Sequence, residues 1–412
     1  MGNTKKGRPI GSKNRQKFDN FKIINLNKHI PNSPEINDKS AYSWVFYGRD
    51  NLYPIHLLDL YHNSIIHSAC VDFLTNAIVG DGVDYAAMQI NDNEICPNYL
   101  ESWDELLYKV AKDLVLFGGY AIQIIKNKND KTYSFFHQPF STVRFAKKDK
   151  NGEIKKAYLS EDWSNTTANK PIEIDILNYT DDLNISLGKS YLLVYTTYNL
   201  FDAYYPSVHY ASAIDAIRTD IEMKKFDFNS TLNLFTPSGI LTMNQVSDDD
   251  ERAMIIKNIE ATFTGSDNAN NIIISFRNNN EDKPVEFTPI TNNSDSINVF
   301  ADTNERTINR ILASHKVSKG LIGLSIDDAG FSSEGAILEA QYNLCNRLIV
   351  NNLRNKIINH INIILKLNGI EQELILKPLT FNIQKVEETT TRTTQPEVEE
   401  IKDDKNEDTA II

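Results

Sequence analysis

Long apolar runs are missing from this 412-residue sequence. No stretch approaches the ~18 apolar residues that a membrane-crossing helix needs, and the Lys/Arg/Asn-rich start has no apolar segment behind it. The chain is therefore expected to be soluble, without a signal peptide and without a membrane partner. Cysteine is scarce. The three cysteines, Cys70, Cys96 and Cys345, lie far apart and outside any CxxC or Cys/His spacing, which argues against a zinc site or a disulfide framework and fits a reducing cytoplasm.

Phosphate-cradling glycine patterns are absent too, since there is neither a P-loop nor a GxGxxG. His137, His209 and His315 show no partner pattern and read as core or surface histidines. Two carboxylate clusters, Asp248-Asp249-Asp250-Glu251 and Asp327-Asp328, suggest a metal. Adjacent carboxylates on one helix turn point in different directions, however, whereas metal sites gather ligands from separate elements. No metal, cofactor or catalytic residue is expected, and the chain does not read as an enzyme.

What is present is an uneven charge. The net value of -12 conceals six basic residues and no acid in the first 18 positions: Lys5, Lys6, Arg8, Lys13, Arg15 and Lys17. The remainder holds 37 basic residues against 55 acidic ones, a charge of -18. Phosphate neutralisation drives non-specific DNA affinity, so such a body can surround DNA without gripping it. Lys6-Gly7-Arg8-Pro9 with Gly11-Ser12-Lys13 resembles an AT-hook for narrow minor grooves; a generic basic arm is the plainer reading.

Residues 1–40 lack apolar periodicity and read as a disordered arm; residues 385–412, with a threonine cluster and nine acids against four bases in all, read as a disordered acidic tail. Between them, the periodicity predicts an α+β block from about residue 41. Its helices are placed at 65–78 and 102–116, each ending in glycine. Its strands are placed at 120–126, 133–137, 142–146, 157–160, 172–176 and 191–195. From Pro206 a long helix is predicted to about Leu234, with Val208, Ala211, Ile214, Ile217, Ile221 and Phe228 as its buried stripe. A strand–helix–strand unit follows, with Ser247 capping a helix at 248–263. A second helix at 296–316, a glycine-bearing segment at 317–335 and a long helix at 336–367 complete the series. A strand at 373–383 is expected to return to the first block.

This order resembles the tailed-phage portal fold of wing, stem, clip, stem, tunnel loop and channel helix. Local motifs carry the resemblance: Trp44-Val45-Phe46-Tyr47-Gly48-Arg49-Asp50-Asn51-Leu52-Tyr53-Pro54, Leu116-Phe117-Gly118-Gly119-Tyr120-Ala121, Pro237-Ser238-Gly239-Ile240-Leu241, Thr264-Gly265-Ser266-Asp267-Asn268-Ala269, and His315-Lys316-Val317 with Leu321-Ile322-Gly323. It covers about residues 42–366. Lys319-Gly320 stands where portals often carry proline, and an acidic tail stands where larger portals have a helical crown.

The resemblance implies a wing at 41–205 completed by residues 336–384, stem helices at 206–235 and 291–317, a clip at 236–290 and a tunnel loop at 318–335. It implies a dodecameric ring at a capsid vertex of the virion, assembled in the host cytoplasm, through which double-stranded DNA is packaged and ejected. The implied partners are the terminase large subunit, the major capsid protein and neck or adaptor proteins. Lys316, Lys319, Gly320, Gly323 and Gly330 would then face DNA, or the lysines would be solvated loop charges. Asp215, Asp220 and Glu222 would line the channel. Asp248, Asp249, Asp250 and Glu251 would meet the terminase, or merely cap their helix. The alternatives are a nucleic-acid-processing enzyme with a basic targeting arm and a non-portal head or neck scaffold.

Overall fold

The computed structural model describes residues 41–90, 96–128, 132–177, 186–200, 202–232, 294–324 and 334–380, with short pieces at 36–37, 239–244, 250, 252–255, 257, 272–277 and 286–289. Residues 1–35 of the basic arm expected to be disordered, the acidic tail, Asp248, Asp249, Glu251 and Gly330 lie outside them, whereas Ile36–Asn37 of that arm forms a strand.

The first block is built on helices α1 (Tyr53–Asn63), α2 (Ile65–Val79), the short α3 (Tyr85–Met88) and α4 (Trp103–Phe117). Local chemistry sets the boundaries of α4. Ser102 and Glu105 close a capping box at its start, Asp104 and Glu105 complement the positive end of the helix dipole, and Gly118 ends it in the left-handed conformation. Its buried residues Trp103, Leu106, Leu107, Val110, Ala111 and Leu114 recur by threes and fours, giving one apolar face. Each of the leucines and Val110 contributes about 1.5–3 kcal/mol on leaving water.

That face packs against a six-stranded sheet, ordered β4 (Tyr133–Gln138), β3 (Gly119–Lys126), β8 (Ser190–Thr196), β7 (Ile172–Ile176), β6 (Lys156–Leu159) and β5 (Val143–Phe145). The β7/β8 pair is parallel and the other pairs are antiparallel. A two-residue strand β1 (Ile36–Asn37) pairs with β2 (Phe46–Tyr47).

Helix α1 is an element the sequence reading missed. Pro54 sits in its first turn, but only Ser64 separates it from α2, so two short helices merge into one weak pattern. Ser64 ends α1 and caps α2, its hydroxyl accepting from the amide of His67 at 3.2 Å.

Helix α5 (Ile214–Leu232) begins eight residues beyond the predicted Pro206. Tertiary hydrogen bonds occupy the intervening backbone: Tyr205 and Ser207 carbonyls accept from Asn199 and Thr197 side chains at 3.0 Å. Val208, Ile214, Ile217 and Ile221 are buried as expected, whereas Phe228 is 63% exposed and does not belong to the stripe.

Helix α6 (Ser294–His315) lies beside α5 with Ile311 and Leu312 buried. Ser212, Asp215 and Ala216 line one cleft with Arg310, Ala313 and Ser314, so the start of one helix adjoins the end of the other. Between these helices in sequence, β9 (Gly239–Asn244) pairs in parallel with β10 (Ile272–Arg277) and antiparallel with β11 (Glu286–Pro289).

The final rod comprises α7 (Glu334–Cys345), a π-helical turn (Asn346–Val350) and α8 (Asn351–Leu367). The predicted return strand contributes one bridge, Val83 to Leu376, flanked by Lys377 N–H donating to Gly82 and Asp84 N–H donating to Ile375, both at 2.8 Å. Residues 381–383 of that strand lie outside the described residues.

Candidate functional site

The candidate residues converge on the end of α6. His315 closes the helix, and Lys316 follows with φ +58°, a left-handed conformation uncommon for a residue with a Cβ. This reversal turns Val317 back into the core, its amide donating to Leu312 O at 3.1 Å. Ser318 then donates its hydroxyl to Gln341 of α7 at 2.7 Å. A 3-10 turn at Lys319–Ile322 follows and ends at Gly323 with φ +81°.

Four of the five residues expected to face DNA, Lys316, Lys319, Gly320 and Gly323, thus occupy one short turn; Gly330 lies outside the described residues. Lys319 is tied back to Glu305 by an ion pair. That hydrogen bond holds the Glu305 carboxyl below its usual pKa, with Asn309 assisting.

The acidic trio on α5 divides by geometry. Asp215 and Glu222 stand seven residues apart on one exposed face, each paired three residues on, with Arg218 at 3.3 Å and Lys225 at 2.8 Å. Asp220 instead accepts the Ser64 hydroxyl at 2.6 Å, fastening α5 to the cap of α2. Asp250, the described member of the acidic cluster, is exposed.

Beneath the turn lies a row of three imidazoles for which the sequence offered no pattern. His315 Nε2 is 3.0 Å from His67 Nδ1, and His315 Nδ1 is 2.9 Å from His209 Nε2. The Tyr210 ring covers the row with centroids 4.5 Å from His67 and 5.1 Å from His315. Burial drives all three pKa values down, His67 to about 3, His209 to about 4 and His315 well below its ordinary value, and charge repulsion, from His209 on His67 and His315 and from Lys316 on His209, adds to the effect. Sequence separations of 106 and 248 residues hid the cluster.

His137, the remaining histidine singled out from the sequence, lies 2.8 Å from Asp113, which also accepts the Phe140 amide at 2.8 Å. Among the described residues no group of three His, Cys, Asp or Glu side chains could hold a metal ion, and no helix is long and apolar enough to cross a membrane. A hollow of about 690 Å³ forms an open groove over the sheet. Its lining includes Gln123, Gln138, Lys170, Glu173, Asp175 and Lys189 but neither histidine nor cysteine.

No protein-family model matches the sequence, and no curated protein does. Solved structures do match in shape. A chain in the neck of the empty gene transfer agent (GTA) particle, determined with C6 symmetry, aligns at a TM-score of 0.55 with 15% identity, covering 84% of this chain and 89% of that one. A chain in the native GTA neck, determined with C12 symmetry, aligns at 0.52 with 15% identity, covering 81% and 85%. This chain shares its fold with both of these neck chains. A chain in the native GTA virion aligns at 0.53 with 15% identity over 82% and 86%. At such identity the likeness carries the fold, and the α+β architecture with it.

Proposed function

We propose that this chain is a portal subunit, one of about twelve that form a ring-shaped channel for DNA at a capsid vertex of the virion. The observation that carries the proposal is the shared fold over 84% of this chain and 89% of a GTA neck chain. The C12 and C6 symmetries of the neighbouring necks support a homo-oligomeric ring. The motif order from Trp44 to Gly323 supports the same reading from the sequence side.

In this reading residues 41–205 with 336–384 form the wing, 206–235 and 291–317 the stem, 236–290 the clip, 318–335 the tunnel loop and 336–367 the channel helix. Lys316, Lys319, Gly320, Gly323 and Gly330 face DNA, with the Lys319–Glu305 pair opening transiently to release the lysine. Glycine's conformational freedom lets such a loop follow a helical substrate whose symmetry differs from that of the ring. Asp248, Asp249, Asp250 and Glu251 supply a clip contact for the terminase large subunit, while neck or adaptor proteins and the major capsid protein bind elsewhere on the ring. The role is structural; ATP hydrolysis for packaging comes from the motor. The basic arm holds scaffold, coat protein or nucleic acid during assembly in the host cytoplasm.

Negative-stain imaging and native mass measurement of the purified full chain test the reading. Annular particles of about twelve chains with a central hole are expected. A monomer with metal-dependent nuclease activity would overturn it in favour of a processing enzyme.

A further inference from the structure

We propose that His67, His209 and His315 form a proton-sensitive latch that fastens the root of the two long helices to the α+β block. The three rings come from three separate pieces of chain. His67 lies in the first turn of α2, His209 five residues before α5, and His315 at the end of α6. The single row therefore joins the block to the point where α5 departs and α6 returns.

A row of neutral imidazoles works because each ring donates through one nitrogen and accepts through the other. His315, in the middle, uses both nitrogens on its neighbours. Those nitrogens lie on opposite sides of its ring, so the three histidines do not converge on a point where a metal could sit. One added proton fits the hydrogen-bond pattern but leaves a charge in the core. Two on adjacent rings set donor against donor across 2.9 or 3.0 Å, and that contact breaks.

The surroundings oppose protonation. Lys112 of α4 acts on His67 and Lys316 acts on His209, both with the sign that repels an imidazolium. Lys112 is itself engaged by Asp72 and Tyr61. Asp220 of α5 is committed to the Ser64 hydroxyl, one turn from His67. Burial raises the Tyr53 and Tyr210 phenols and pushes the Cys70 thiol up to about 12, so these groups remain neutral as acid is added. His67 is fully buried and His209 half-buried, which makes His209 the entry end for a proton. At the inner end, His67 Nε2 is buried with no hydrogen-bond partner among the described residues.

The sign of the pH effect follows. All three rings have folded pKa values below the ordinary value near 6.5, so the opened form binds more protons than the closed one. The latch is fully effective above pH 6.5 and weakens as the pH falls toward about 4, where His209 charges in place. Over that interval each histidine makes opening roughly tenfold more favourable per pH unit. His360 of α8, also lowered to about 4 by burial, adds to general acid sensitivity, so a local measurement is required.

Hydrogen exchange of the full-length chain between pH 7.5 and 4.5, expressed as protection factors, provides it. Segments 310–318 and 64–70 are expected to lose at least tenfold more protection than α4 between pH 7 and 5. In His315→Gln and His209→Gln that excess loss should flatten. The proposal is overturned if the two segments track α4 at every pH, or if both variants retain the wild-type pH slope. Should His315→Gln fail to fold, His209→Gln, at the half-buried end, decides alone. Because the latch lies within one chain, its failure would leave the portal reading untouched, and the reverse also holds.

Discussion

Arg144 shows how a single residue organises the block. It is wholly buried, and among the described residues no carboxylate answers its charge in a direct pair. Its guanidinium donates to the Asn51 side chain and to the Asn51, Ser141 and Val143 carbonyls at 2.7–2.9 Å, and lies over the rings of Tyr47 and Trp163. Burial lowers its pKa to about 10. A planar fork can serve these acceptors together where a lysine ammonium cannot. Arg144→Lys is therefore predicted to lower unfolding stability by on the order of 3 kcal/mol, read as a lower urea midpoint; an unchanged midpoint would refute this account. Gly80 makes a contrasting case, because what matters there is an absent side chain. With φ +67°, a Cβ would sit 2.1 Å from the Lys377 carbonyl, which accepts from Asp81. Gly80→Ala is predicted to detach residues 375–377 and to speed proteolysis within 370–380 severalfold.

Among the elements, the long C-terminal rod depends on its irregular turn. Cys345 and Ile357 are both buried and twelve residues apart. On an uninterrupted α-helix that spacing would set them about 120° apart. The π turn at 346–350 accommodates one additional residue and brings the two within about 20°. Tyr342, Cys345, Ile357, Ile361 and Ile364 then share one buried face. Deleting the exposed Leu348 should restore regular α-helix and rotate the isoleucines away from the core, at a cost on the order of 3 kcal/mol or more. Leu348→Ala, which removes the side chain but keeps the register, should have little effect. Equal shifts in the denaturation midpoints of the two variants would contradict the argument.

On the scale of the whole molecule, charge is the property that the proposed channel exploits. A ring of acidic bodies repels phosphate and denies DNA the counterion release that drives tight binding. Asp215 and Glu222 suit a test because both are exposed, whereas Asp220 must be left out because it holds the cap of α2. Reversing Asp215 and Glu222 to lysine is predicted to slow DNA packaging in an assembly assay; unchanged rates would count against the repulsive channel. Deleting residues 2–17 tests the basic arm separately, and normal capsid assembly with normal DNA content would dismiss a role for it.

Much of the secondary structure was legible in the sequence because its determinants are local. The capping box at Ser102, the glycine after α4, the apolar run of β3 and the three-four stripe of α4 each act within a few residues, and those elements fall within one or two positions of their predicted bounds. The order of elements likewise sufficed to suggest the fold family. Contacts between distant segments decided the rest. The start of α5 is delayed by hydrogen bonds from Asn199 and Thr197, and Asp220 is diverted from solvent by Ser64. Three histidines with no pattern between them become one buried row only when α2, the approach to α5 and the end of α6 pack together. Side-chain periodicity encodes which face of an element is apolar, but not which other element will cover it, and the roles of His67, His209, His315 and Asp220 depend on that partner.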